Sequence, residues 1–327
     1  AQRGAVDLGT GIIEIDQLTV DIDDASGSRV FEMHTLKPFQ VANDPLGFAV
    51  RGGGRRVLKA TLSPLKLQSL LPGVLGFDVE GELERGEFYG RVDRRGRLVV
   101  AAPNPLVFND VRLSRDATPL FEQLQIGLTY EVAYSVAGLE ARSFDIDATG
   151  PGSEDLASVS MRAVAPLTAR QTLRSFDLDL QLHLASMSRQ PAMREIKPLD
   201  AGRLLASWSL GTVPHRTLTG QVKVLGARET DAGRLPDLRA SLALDAVPER
   251  GVTLSVPVTL DSARGRSDLA LTGTLRTVGN KQRFEVLLDG RQVIAPDIRQ
   301  YYSLVTEPAA DGDVSREKGQ SGHEPSM

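Results

Sequence analysis

The sequence contains no cysteine, which excludes disulfide frameworks, zinc ribbons and thiol nucleophiles together. It also lacks any unbroken apolar run near the roughly 18 to 20 residues that a membrane-spanning helix needs. Any membrane contact is therefore expected through parts outside this chain. Aromatic residues make up 5% of the chain, with a single tryptophan. Basic charge is not in excess either: the formal net charge is -4 and the pI is about 5.7. Nucleic acid is thereby disfavoured as a partner, since its binding asks for a clustered basic face. A start at Ala1 rather than Met reads as a mature form or as a segment of something longer.

What is present is globular. Hydrophobic residues make up 41% of 327, enough for one large all-β domain or two ordinary ones. The dominant signal is alternation with a period of two. Leu124, Ile126, Leu128, Tyr130, Val132, Tyr134 and Val136 are separated by Gln125, Gly127, Thr129, Glu131, Ala133 and Ser135. Phe176, Leu178, Leu180, Leu182 and Leu184 alternate with Asp177, Asp179, Gln181 and His183. Val252, Leu254, Val256, Val258 and Leu260 repeat the pattern, as do Leu269, Leu271 and Leu275. Successive side chains on a strand point to opposite faces, so each segment has one oily and one wet face. That is the pattern of antiparallel strands rather than of a buried parallel sheet.

Gly-bearing clusters punctuate these segments at 24–27, 51–54, 94–96, 264–265, 278–280 and 289–290. Two hairpins are specific enough to give a register. A two-residue turn at Arg85-Gly86 sets Leu83 against Phe88, Gly81 against Gly90 and Val79 against Val92, with Glu80 opposite Arg91. A loop over 278–281 sets Leu275 against Phe284 and Leu271 against Leu288. Helices are scarce. Ser63 as a cap, Pro64 at the first helical position and the stop Pro72-Gly73 predict a short helix over 63–71. A second irregular or helical piece is expected over Gln190 to Leu205, broken at Pro198. Gly150-Pro151-Gly152-Ser153 reads either as one more loop or as a linker dividing 1–150 from 151–306. The tail 307–327 is polar, with almost no large apolar residue, and is expected to be disordered.

One two-turn helix cannot cover the oily faces of a dozen or so strands. Those faces must close on each other as a sandwich, close as a barrel, or line a long curled sheet that holds an apolar ligand. Leucine dominates them, giving a smooth aliphatic surface of the kind an acyl chain would meet, although an ordinary core has the same composition.

From Leu58 onward the elements come in a set order: a strand (57–62) leads into the short helix, then Pro72-Gly73, a strand, a Gly-bearing hairpin over 77–86 and a strand ending near Val100. The runs Leu178-Asp179-Leu180-Gln181-Leu182 and Leu271-Thr272-Gly273-Thr274-Leu275 look like the same kind of repeat strand. This order resembles that of the AsmA-like family of bacterial envelope proteins, a resemblance of rhythm over roughly residues 5 to 305. It implies an all-β fold: a long antiparallel meander curled into a half-pipe or open barrel with an apolar groove and one or two short helices. It implies a place in the periplasm of a Gram-negative-type bacterium and the binding or transport of phospholipid or another acyl-chain lipid between membranes. Envelope proteins are then the expected protein partners. The chain departs from the family in lacking the N-terminal transmembrane helix and in its polar C-terminal tail.

On this reading Leu124, Ile126, Leu128, Leu178, Leu180, Leu182, Val252, Leu254, Val256, Leu269 and Leu271 line a lipid groove. The alternative is a β-rich scaffold with a closed core and no ligand, recruiting partners by strand addition. No cofactor, metal or catalytic residue is expected. Arg51-Gly52-Gly53-Gly54-Arg55-Arg56 lacks the Gly-Lys-Ser/Thr ending of a phosphate-binding loop and reads as a hairpin loop. The pairs Asp21/Asp23, Asp145/Asp147 and Asp177/Asp179 fall on wet strand faces. None of His34, His183, His215 and His323 has a partner at metal-ligand spacing, and no nucleophile elbow occurs. Trp208 and Tyr301-Tyr302 read as core or edge packing, ahead of the alternative that they mark a groove end or an interface.

Overall fold

The structure is a computed structural model. It describes residues 2–7, 12–23, 27–44, 47–51, 56–70, 76–135, 138–165, 175–212, 216–230, 233–247, 251–278 and 281–306. The tail 307–327, the phosphate-loop-like glycines 52–54 and the histidines at 215 and 323 lie outside the described residues.

Alternating sequence has become strand nearly throughout. The first eleven strands are β1 (Gln2–Asp7), β2 (Ile12–Asp23), β3 (Arg29–Thr35), β4 (Phe39–Asp44), β5 (Gly47–Arg51), β6 (Arg56–Leu62), β7 (Leu65–Lys66), β8 (Asp78–Leu83), β9 (Gly86–Val92), β10 (Leu98–Ala101) and β11 (Leu106–Arg115). The rest are β12 (Thr118–Ser135), β13 (Gly138–Thr149), β14 (Asp155–Ala165), β15 (Ser175–His183), β16 (Leu199–Gly211), β17 (Arg216–Glu229), β18 (Gly233–Arg234), β19 (Asp237–Val247), β20 (Gly251–Ser262), β21 (Gly265–Val278) and β22 (Lys281–Gln292). The described strands form one large antiparallel sheet that, among the described residues, does not close into a barrel. From β12 to β22 it is a meander, each long strand pairing with the next, with the two-residue β18 set against β17. Residues 150–153 are the loop of the β13–β14 hairpin, with Gly150 N donating to Glu154 O at 2.9 Å, so the ladder runs across them.

At β12 the meander meets the N-terminal strands. One edge of this 18-residue strand pairs with β13, while the other is shared by β11 along residues 118–128 and β10 along 131–134. From β10 the sheet continues through β9, β6, β3 and β2.

The hairpin expected at Arg85-Gly86 is absent. β8 and β9 do not pair with each other; they lie end to end as one interrupted strand. Leu62 stands opposite Gly86 and Leu65 opposite Leu83, so a single register serves both pieces. Their other neighbours are β10 and β11, which are likewise two pieces of one course, and Glu84 N donates to Val107 O at 2.9 Å across the break. The matched pairs misled because alternation of period two is equally satisfied by one long strand. Gly86 serves close packing instead of turning: a Cβ there would lie 2.8 Å from Leu106 Cδ2. The turn comes later, at 93–97, where Gly96 has φ 74° and Asp93 Oδ1 accepts from Arg95 N (2.8 Å) and Arg97 N (3.0 Å). The register expected around 278–281 is the one found, with Leu275 opposite Phe284 and Leu271 opposite Leu288.

Helices gather at one end of the sheet: α1 (Leu67–Leu70), α2 (Leu184–Met187) with a 3-10 turn at Pro191–Met193, and α3 (Ala295–Thr306). The helix expected over 63–71 is a single described turn. The ladder holds the chain extended before it, with Ser63 N bonded to Val30 O (3.1 Å) and Leu65-Lys66 paired to β8. Residues 71–73 lie outside the described part. The piece expected over 190–205 is helical only to Met193, and Leu199 already begins β16. α3 carried no sequence expectation. It is pinned by Asp297, which is wholly buried and accepts from Ser262 Oγ (2.6 Å) and Arg264 Nη1 (2.8 Å). Tyr301 donates its hydroxyl to Pro236 O at 2.6 Å.

These helices seal two apolar clusters. One joins Leu67, Val111, Leu124, Ala148, Leu156 and Met187; the other joins Leu184, Leu199, Ala227, Leu235 and Leu304. A third cluster, around Phe39, Val57 and Val92, lies among the N-terminal strands.

A lattice of charges locks the junction of β9, β12 and β13 to the 93–97 turn. Glu131 bridges Arg91 (3.0 Å) and Arg142 (2.8 Å), and Asp93 bridges Arg142 (2.7 Å) and Arg97 (2.8 Å). Arg97 also reaches Glu140. Burial alone would raise the Asp93 pKa. The bonds from Arg97 N, the Arg142 and Arg97 side chains and Arg95 N outweigh it and hold the carboxyl well below the usual carboxylate range. Glu131 is lowered in the same way, burial being overcome by Arg142 and Arg91. Carboxylates depressed on folding stabilise fully above their unfolded values and lose that contribution as pH falls below them. Stability should therefore drop as pH falls below about 4, the unfolded carboxylate range. Asp93→Asn should cost about 2 kcal/mol at pH 7 and flatten that acid limb in urea unfolding series run from pH 7 to pH 3.

Candidate functional site

Directly opposed residues on antiparallel neighbours share a face, so the register shows how far one face extends. Leu128 stands opposite Ile146, and the row continues through Val159, Leu180, Ala206, Val222, Ala240, Val258 and Leu269 to Gly290. Ten strands contribute one residue each and none is polar. At the roughly 4.8 Å spacing of strands the row is about 43 Å wide. Beside it runs a second row, Tyr130, Phe144, Met161, Leu178, Trp208 and Gly220. Trp208 lies over Gly220, where a Cβ would come within 2.7 Å of the indole Cδ1. Half-burial pushes the Tyr130 phenol up to about 12. On the C-terminal strands Val256, Leu271 and Leu288 align, as do Val252, Leu275 and Phe284.

All eleven residues expected to line a groove lie on this one face, but not in one environment. Leu124 is buried to 7% exposure in the cluster beneath the helices, and Ile126 and Leu182 pack against that cluster. These three belong to the closed end. Leu128, Leu178, Leu180, Val252, Leu254, Val256, Leu269 and Leu271 lie farther along and are half-buried. The sequence reading did not include Phe144, Met161, Ala206, Val222 or Trp208 in the site. In β13 a shift in register opposite Glu131/Val132 breaks the alternation. In β16 the doublet Leu204-Leu205 and the small Ala206 blur it.

The opposite face is polar. Two adjoining hollows of about 500 and 620 Å³ lie on it, sharing Ser160, Asp179, Ser207 and Gln221. Carboxylates, hydroxyls and amides there are no place for an acyl chain. The paired aspartates sit where wet faces put them. Asp21 and Asp23 both engage Arg29 (2.9 and 2.6 Å), Asp145 accepts from Ser160 Oγ (2.6 Å) and Asp177 from Ser209 Oγ (2.6 Å). His183 contacts Gln181 at 3.0 Å, and among the described residues no three metal-ligating side chains converge. Tyr301 packs at the closed end, whereas Tyr302 is exposed.

The chain matches no protein-family model, no curated protein and no solved structure. The class of protein is defined by its own geometry: an open antiparallel sheet, apolar on one face and polar on the other, plugged with helices at one end.

An open face and a closed core respond differently to truncation. Leu124→Ala should cost about 3 kcal/mol, the usual range for a buried leucine. Leu180→Ala, on the half-hydrated row, should cost about 1 kcal/mol. Equal losses in chemical denaturation would mean that the central row is covered as tightly as the plug.

Proposed function

We propose that this chain is a non-enzymatic lipid-binding protein whose apolar sheet face receives acyl chains. The observation that carries the reading is the ten-strand row from Leu128 to Gly290, uninterrupted by a polar residue and lying clear of the helical plug. A face of this kind offers no directional bonds. Its attraction is hydrophobic, at about 0.8 kcal/mol for each buried methylene. Roughly sixteen methylenes laid on the sheet and half covered gain about 6 kcal/mol, a micromolar-range affinity that permits sliding. Phospholipid fits the geometry, its chains on the oily face and its headgroup left in water. The rhythm shared with AsmA-like proteins supports a site of action in the Gram-negative periplasm, moving lipid between membranes in company with other envelope proteins. The helical plug gives the face one shut end, so lipid enters from the opposite end or across the sheet edge.

The single tryptophan makes a direct probe. Trp208 sits in the second row, beside Leu178. Fatty acid or phospholipid carrying a bromine or nitroxide quencher on the acyl chain should quench Trp208 emission saturably, and Leu180→Asp should weaken the effect several-fold. Quenching by the same label placed on the headgroup alone, with none from chain labels, would contradict acyl binding on this face.

A further inference from the structure

The sheet ends at β22, which pairs with β21 alone among the described residues, so its outer row of backbone N–H and C=O groups is free to pair. Terminal strands usually guard such an edge with bulges, proline or a repulsive pattern of charge. β22 has no proline, its register with β21 shifts only near Arg291, between the Asp268–Gln292 and Leu269–Gly290 pairs, and it exposes apolar side chains on both faces. Phe284, Val286 and Leu288 on the apolar face are 64%, 50% and 68% exposed, and Leu287 on the other is 65% exposed.

We propose that β22 pairs antiparallel with β22 of a second copy of this chain, about a two-fold axis through Val286. Of the registers that keep nearly the whole strand paired, the sequence favours this one. Centred on Val286, Phe284 falls opposite Leu288 and Val286 opposite itself, all on the apolar face. On the polar face Arg283 falls opposite Asp289, twice by symmetry, and Glu285 opposite Leu287. Arg283 already holds Glu285 of its own strand at 2.8 Å, and its forked guanidinium has donors left for the aspartate across the seam. One pair is unfavourable: Lys281 meets Arg291 at the strand ends. Centring on Leu287 instead opposes Arg283 to Arg291 and Glu285 to Asp289, four like-charged contacts. Centring on Glu285 sets that carboxylate against itself. Any register centred between residues places an apolar face beside a polar one. A two-fold seam is self-complementary by construction. It would join the two apolar faces into one surface of twice the width.

The chain has no cysteine, so a single introduced thiol reports the seam. Val286→Cys should give a disulfide dimer on mild oxidation, because at the axis the residue meets its own copy within cross-strand reach. Phe284→Cys mixed with Leu288→Cys should cross-link, while either alone should not, their copies being four residues out of step. By light scattering without lipid, the unmodified chain should double in mass with rising concentration. Arg283→Asp or Asp289→Arg should each raise the dimer dissociation constant at least tenfold, and the double exchange should restore it. A monomer at every concentration, with no cross-link at 286 or between 284 and 288, would overturn the proposal. So would a dimer that cross-links only elsewhere, or an edge occupied by another segment of the same chain. Because no lipid is present, failure here leaves the lipid reading standing, and the reverse holds too.

Discussion

The structure turns on an apolar sheet face that is wider than the described helices can cover. Strands from β12 to β22 carry alternating side chains in register, so their oily positions merge into one surface. Against it stand, among the described residues, three short helices and a 3-10 turn. These close one end, where Leu124, Met187, Leu184 and Leu304 are buried, and leave the central row half-buried apart from Ala206, which is buried, and Gly290, which is exposed. At ordinary strand spacing that row is about 43 Å wide, half-buried rather than closed over by the helices.

The rest of the molecule keeps that face continuous and apolar. Polar groups are confined to the other side, where Asp, Ser and Gln rows make hydrated hollows. The charge lattice around Asp93, Glu131 and Arg142 stiffens the junction at which the meander meets the N-terminal strands. Asp297 ties α3 to the β20–β21 turn, so the plug is held by buried, charge-assisted bonds as well as by packing.

Much of this was legible in the residues, and the failures have physical causes. Strict alternation in β12, β15, β20 and β21 identified strands, faces and eleven positions of the apolar surface, because a period of two fixes which side a residue takes. The same property could not separate a hairpin from one long strand at Gly86, since pair-matching is blind to chain direction. Register at β21–β22 was readable because the turn chemistry and the alternation agreed there. The helix before Pro72 was overestimated, since capping residues cannot outweigh a ladder that holds Ser63 and Leu65 extended. α3 escaped notice because it depends on tertiary partners, Pro236 and the 262–264 turn, that are far from it in sequence. The distinction between Leu124 and Leu180, one under the plug and one beyond it, follows from where the helices land and is invisible to any local pattern.

The central claim is that the uncovered face holds acyl chains. Native mass spectrometry of the gently purified chain, with extraction of whatever it carries, tests this most directly. The account expects bound phospholipid or another acyl-chain lipid at defined stoichiometry, reduced several-fold when Leu180 is replaced by aspartate. A clean mass for the bare chain, unchanged after incubation with phospholipid, would contradict it.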